Sequence, residues 1–290
     1  MSFFASAPVQ LALVVGALVA VASALVGVFT VMRRQSFAGH ALADLGAVGG
    51  SAAYLVGVSQ LWGFVIAGVV AAGLMELVGV KRVQGRDVAT GIVFGLGLGL
   101  TGLFLYLDTL QAGSSNAAVS VLFGSLFVID PSILPTVAVL AVLACAIIAF
   151  AYRWLLLDSV SQDLAAVRGV PVRMTGILFL VALALAVELS ALTIGAVLST
   201  ALLIAPAAAA LRLTRRVGIA IVLAIGIGVG STWLGILISY ESFGWLHGQH
   251  SWPVSFCIVA VLFAVYLLSG ISRSARVTRE ELADVPGLPG

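Results

Sequence analysis

The sequence predicts an all-α protein that crosses a membrane many times, and three observations lead there. Of its 290 residues 62% are hydrophobic and only 9% charged, against about 25% charged in a soluble domain, so the chain lacks the polar surface to stay in water. Its mean hydropathy is +1.21. Apolar stretches of about 18 residues or more recur throughout, the length needed to cross a bilayer core. Within lipid each backbone group must be satisfied internally, so these stretches read as helices.

Nine spans follow from the apolar stretches: residues 9–32, 37–58, 61–80, 88–107, 133–152, 173–190, 192–211, 217–239 and 252–270. Tight joints fall at Ser59-Gln60, at Ser190-Ala191 and from Thr214 to Val217. The basic residues test this count. They form six groups: Arg33/Arg34, Lys81/Arg82/Arg86, Arg153, Arg168/Arg173, Arg212/Arg215/Arg216 and Arg273/Arg276/Arg279. With nine spans all of them land on one face, which the positive-inside rule makes cytoplasmic. The N-terminus is then outside and the C-terminus inside. A membrane domain over residues 1–272 and a cytoplasmic tail over 273–290 complete the expected layout.

Composition also excludes functions. The net charge of +2 reflects basic residues sorted by topology, so no nucleic-acid partner is expected. Cys145 and Cys257 both lie in apolar segments and read as small packing residues, not as a disulfide or a thiolate site. No basic region precedes the first span, so no cleaved signal peptide is expected. The only lysine, Lys81, is not part of a G-x-x-x-x-G-K-[ST] phosphate loop, so any ATP hydrolysis belongs to another polypeptide. No nucleophile constellation or H-E-x-x-H points to an intramembrane enzyme.

The second span carries the least expected residues. "RRQSFAGHALADLGAVGG", residues 33–50, takes His40 and Asp44 into apolar sequence. Residues four apart are neighbours on a helix, about 5–6 Å between side-chain origins. A charged carboxylate at membrane depth costs about 2.5–3.5 kcal/mol or more, so it normally faces a partner or a wet cavity. One imidazole and one carboxylate suit Mn(II), Fe(II) or Zn(II), and a weak two-ligand site suits a pathway that must release its ion. The alternative is that His40 and Asp44 bond only to each other and steady the helix end.

Other polar residues carry two readings each. Glu76 either snorkels to the cytoplasmic interface or lines the inner pathway. Glu188 and Glu241, with Asp108 and Asp130, either form a mildly negative outer mouth that draws in cations or are ordinary solvated acids. His247 and His250, three apart in the outer loop 240–251, either touch the arriving ion or form a loop pair lacking a third ligand. Ser199 and Thr200 offer oxygens ahead of Pro206, whose missing N–H frees nearby carbonyls. The glycines of "GIVFGLGLGLTG", Gly91 to Gly102, read as a close helix–helix contact. The longest outer connection, 108–132, contains "AAVSVLFGSLF", too short to span and read as interfacial or re-entrant. On the inner side the loop 154–172 holds "SVSQDLAAVRG", a short amphipathic helix capped by Ser161 or Asp163 and ended by Gly169 before Pro171.

Three stretches resemble one family. They are "RRQSFAGHALAD", the loop through "DLAAVRGVPV", and "ALTIGAVLSTALLIAPAAAALRLTRR" over residues 191–216. In this order and spacing they resemble the permease subunit of the ABC importers for manganese, zinc and iron. The likeness runs from about residue 10 to 270. It implies a vitamin B12-type plan: two permeases, here a homodimer, two cytoplasmic ATPases and one extracellular metal-binding protein, in the cell membrane of a prokaryote. The transported ion would be Mn²⁺, Zn²⁺ or Fe²⁺, with no permanently bound cofactor. Where the family usually reads Gly-Asp-Ala-Leu-Ser-His, this chain has Gly39-His40-Ala41-Leu42-Ala43-Asp44, with the two ligand types exchanged. The resemblance thus gives His40 and Asp44 a metal role, doubled across a homodimer axis into a four-ligand ring. It also makes Asp163, Ala165, Ala166 and Gly169 the contact with the ATPase, by likeness to the Glu-Ala-Ala…Gly loop of such permeases. The competing class, an ion-coupled secondary transporter of a cation, predicts inverted repeats and midplane carboxylates in both halves; the sequence displays neither clearly.

Overall fold

The computed structural model describes residues 6–77, 83–112, 116–124, 126–243 and 252–283. Its elements are helices throughout: α1 (Ala7–Met32), α2 (Ser36–Val56), α3 (Gln60–Leu77), α4 (Val83–Ala112), α5 (Asn116–Phe123), α6 (Leu134–Val160), α7 (Gln162–Val167), α8 (Val172–Ile194), α9 (Ala196–Leu213), α10 (Val217–Ser242) and α11 (Val254–Ala283). A long helix occupies most of each of the nine apolar stretches. By length and composition, six of the described segments suffice to cross a membrane: α1, α6 with its leading turn, α8, α9, α10 and Val254–Ile271 of α11. The apolar part of α3 is shorter, Gln60–Met75. α11 continues to Ala283, so the segment expected as a tail from residue 273 begins as helix.

α8 is the centre of the bundle. Its sequence "LALAVELSALTI" offers no continuous polar face, and every residue from Ala182 to Ile194 is buried. It packs on α1, α2, α3, α6 and α9. Such all-round burial is what an apolar helix without a polar stripe requires. Where α8 carries hydroxyls, they find partners. Ser190 donates to the Ala186 carbonyl at 2.8 Å, and its hydroxyl lies 2.7 Å from that of Ser23 on α1. The residue pair thereby satisfies two buried polar groups across the α1–α8 contact.

The turn out of α8 lies five residues later than the sequence predicts. The Ser190-Ala191 joint is helical, and the break comes at Gly195, with φ of +88°. This left-handed geometry favours glycine. A side chain there would also strike the backbone of Leu122 and Phe123, after which the chain turns at Gly124, itself at φ +78°. α5 is thus fitted against the α8–α9 turn, with Ala117 and Val121 buried. The other two tight joints lie where the sequence predicts them. Gly57, at φ +75°, caps α2 ahead of α3, and α9 gives way to α10 between Leu213 and Val217.

Close helix contact is made by a different set of glycines from the one expected. Carbon added at Gly95, Gly99 or Gly102 would meet nothing within 4 Å, and at Gly97 would reach only ordinary contact with Leu45, 3.4 Å away. Gly95, Gly99 and Gly102 therefore face no other helix among the described residues, and Gly97 meets α2 with room for a side chain. Gly49 of α2 and Gly63 of α3 do: a carbon on Gly63 would lie 2.8 Å from the Gly49 carbonyl carbon, and one on Gly49 3.0 Å from that of Gly63. Backbone meets backbone, which only small residues allow. Gly50 similarly admits the Phe64 ring, 2.7 Å from an added carbon.

Gly49→Val is expected to destabilise the purified protein by about 1–3 kcal/mol, the usual effect of overpacking, lowering its thermal midpoint. Gly99→Ala should leave the midpoint unchanged. Equal midpoints for both variants would refute the assignment of the α2–α3 contact.

Candidate functional site

His40 lies in the second turn of α2 and Asp44 one turn further on. Their spacing brings His40 Nε2 to 3.8 Å from Asp44 Oδ2, a close polar approach longer than a hydrogen bond. The environments differ: the imidazole is 39% exposed and the carboxylate 7%. Asp44 Oδ2 has no hydrogen-bond partner. Gly39 lets this end of α2 approach α9, since a carbon there would be 2.9 Å from Leu203 Cδ2.

Glu188 is not a solvated acid but lies buried in the bundle beside α2 and α3. It sits six residues before the end of α8 and is 1% exposed. Neither carboxylate oxygen has a hydrogen-bond partner. The side chain fills a slot between α2 and α3: a carbon added at Gly46 would fall on the carboxylate itself, and one at Gly68 would lie 2.6 Å from Glu188 Cγ. Asp44 is within electrostatic reach of it. The misplaced turn explains the difference from the expectation. Ending α8 at residue 190 sets Glu188 at a helix end, whereas the turn at Gly195 buries it more than one turn deep. Among the described residues no three His, Cys, Asp or Glu side chains stand close enough to hold a metal ion together.

The remaining acids do not gather beside it. Glu241 is exposed on the last turn of α10, Asp108 is buried on α4, and Asp130 leads the turn into α6. There Asp130 accepts the Ser132 backbone N–H at 2.8 Å, which holds its carboxyl below the usual carboxylate range. His247 and His250 lie outside the described residues. Glu76 is on the last turn of α3. Ser199 is fully buried and donates to the Ala196 carbonyl of its own helix at 2.9 Å. Thr200 lines a groove between α9 and α11 with Ile204, Phe263 and Tyr266, a groove that includes none of His40, Asp44 and Glu188. Pro206 is buried inside α9, which runs on through it to Leu213.

The inner loop forms the expected helix, α7, with a defined stop at each end. Ser161, not Asp163, caps it, accepting the Leu164 N–H at 3.3 Å. At the other end Gly169 N–H reaches Ala166 O and Val170 N–H reaches Ala165 O, both at 3.0 Å, with Gly169 at φ +77°. That is the paired closing bond set of a Schellman motif. Ala165 is fully buried, while Leu164 and Val167 are 44% and 87% exposed. Asp163, Ala166 and Gly169 are exposed as well.

A buried ion pair not foreseen from the sequence lies beside this loop. Arg33, at the end of α1, pairs with Asp158 in the last turn of α6; their side chains are 6% and 0% exposed. The guanidinium also sits over the Phe179 ring of α8, 4.8 Å from its centre, a favourable cation–π position. A hollow between Met32–Gln35 and Asp158–Ser161 opens on the pair. Positive-inside sorting accounts for Arg33 in the sequence, and nothing local marks Asp158, 125 residues away, as its partner.

A model of the ABC 3 transport family matches residues 6–273. The chain belongs to the ABC 3 transport family. Among its relatives, the manganese transport system membrane protein MntC of Halalkalibacterium halodurans is 31% identical over 79% of this chain and 78% of its own length. The Listeria innocua protein of the same name is 32% identical over 80% and 81%. The manganese import system permease protein ScaB of Streptococcus gordonii is 26% identical over 80% and 82%. Among solved structures, PsaBC from Streptococcus pneumoniae in complex with Fab superposes with a TM-score of 0.77 at 24% identity, covering 91% of both chains. An inward-facing putative metal-chelate type ABC transporter gives 0.71 at 18%, covering 90% of this chain and 85% of that one. These two share the fold. The ABC 3 family chain is accordingly a multi-pass transport permease of the cell membrane, all-helical as its composition predicts.

Arg33→Ala leaves Asp158 buried and unpaired, so the purified permease is expected to lose about 3–5 kcal/mol of stability. A double-mutant thermal cycle with Asp158→Ala should show strong coupling; additive losses would mean the pair contributes nothing.

Proposed function

We propose that the chain forms the translocation pathway of an ATP-driven importer for a divalent transition metal, working as a homodimer. Manganese is the first candidate, because the relatives named above are manganese permeases; zinc and iron(II) suit the same donors. The observation that carries the reading is the His40–Asp44 pair. An imidazole and a nearly buried carboxylate with an unpartnered oxygen stand on an otherwise apolar helix of a transport permease. A passing cation would meet both side chains, and two protein donors hold it loosely enough to let it go.

The reading includes nine spans with the N-terminus outside, so that the basic clusters and α7 face the cytoplasm. ATP binding and hydrolysis then take place in separate ATPase subunits that receive α7, with residues 154–172 as the coupling loop. Exposed Leu164 and Val167 suit an apolar groove on such a partner, and the two end caps of α7 present it as a rigid unit. An extracellular metal-binding protein delivers the ion on the opposite face, where residues 108–132 and the 240–251 loop lie. The dimer axis brings a second His40–Asp44 pair across the pore.

Metal uptake by cells carrying the intact system tests the pathway. Asp44→Asn and His40→Ala are each expected to lower manganese uptake about tenfold or more, since even outer-shell changes at metal sites cost 10- to 100-fold. Wild-type uptake of manganese, zinc and iron by both variants would remove the pair from the pathway. Gly169→Glu tests the docking of α7. A non-glycine residue at this φ costs about 1–2 kcal/mol and unwinds the closing turn, so transport-stimulated ATPase activity should be lost while membrane insertion persists. Unaltered stimulation would refute the docking.

A further inference from the structure

The inference concerns Glu188 and rests on the reading of His40 and Asp44 as pathway groups. A carboxyl group normally enters an apolar bundle only with a base or a set of donors. Glu188 is 1% exposed with no hydrogen-bond partner on either oxygen, in contrast to the fully bonded hydroxyl of Ser190 two residues on. The bundle is nonetheless built around it. Gly46 and Gly68 are the walls of its slot, and any larger residue at either position would collide with it. A chain selecting only for packing would place an apolar side chain there, as it does in Val187 and Leu189.

The location completes the argument. Gly46, against which the carboxylate lies, is two residues beyond Asp44 and six beyond His40 on the same helix. At 1.5 Å per residue these are steps of about 3 and 9 Å along α2. Glu188 therefore meets α2 from α8 at a level next to that of Asp44, although Gly46 faces away from Asp44 by about 200° around the helix axis, and His40 lies one turn beyond Asp44. We infer that Glu188 is a further cation-binding residue of the pathway, the carboxylate that a divalent ion meets beside Asp44 and His40. The three form successive weak stations and not one cage, as the absence of a three-ligand cluster among the described residues requires. Multiple weak stations let an ion enter and leave. Two carboxylates against one imidazole favour an oxygen-seeking ion such as Mn²⁺.

The test uses the permease assembled with its ATPase and binding protein in proteoliposomes. Glu188→Gln keeps the side-chain volume and so the slot, while removing the carboxyl group. It is expected to lower Mn²⁺ uptake about tenfold and to weaken, by a similar factor, Mn²⁺ retention measured by the paramagnetic resonance of free Mn²⁺. Elution of the complex should be unchanged. Wild-type uptake and retention in Glu188→Gln, with His40→Ala and Asp44→Asn both impaired, would overturn the inference and leave the pathway reading standing. Wild-type behaviour in all three variants would overturn both. Should Glu188→Gln fail to assemble, an anomalous-scattering map of the wild-type complex loaded with Mn²⁺ decides: a peak beside Glu188 upholds its role, and a peak confined to His40 and Asp44 refutes it.

Discussion

The meeting of α2, α3 and α8 at glycine positions is the constraint on which the rest of the molecule depends. Gly49 and Gly63 let two backbones touch, and Gly46 and Gly68 leave between them a space the shape of one glutamate side chain. A single methyl group at these places would push α2 away from the centre. α2 carries Asp44, and its distance from α8 decides whether the two carboxylates stand within electrostatic reach. The helix contact and the chemistry of the site are therefore one arrangement, set by residues whose own side chains do nothing.

The bundle treats its interior polar groups in two ways. Ser23, Ser190, Thr30 and Ser199 hand their hydroxyl protons to carbonyls or to one another, and the helices pack over them as over apolar residues. Arg33 and Asp158 neutralise each other under the Phe179 ring. These groups are structural, because each is joined to another part of the bundle, although Arg33 Nε and Asp158 Oδ1 make no hydrogen bond of their own. Asp44 and Glu188 each keep an oxygen unanswered in a space that water scarcely reaches. Unmet acceptors at this depth are expensive, and Asp108 Oδ2 and Asp158 Oδ1 share that condition.

Much of this was legible in the sequence, and the parts that were not share a cause. Long apolar stretches gave the helices and the Gly57 and Thr214 joints, because hydropathy reports lipid contact directly. His40 and Asp44 were visible because a spacing of four states their shared face. The α8–α9 turn is not legible because Ser190 looks like a joint, whereas Gly195, in "TIGAV", is apolar by composition and special only in its φ. Glu188 was misplaced with it. Glycine content gave no warning that Gly95 and Gly99 face open space while Gly46 and Gly68 face a carboxylate, since abundance does not reveal direction. Arg33 and Asp158 meet only through the folded chain.

The Arg33–Asp158 contact also fixes how motion can be shared. Asp158 precedes the cap of α7 by three residues, and Arg33 precedes the start of α2 by three. The pair thus ties the end of α6, beside α7, to the foot of the helix bearing Asp44, across 125 positions of the chain. Under the docking proposed above, α7 and α2 would shift together for as long as this clasp stays shut.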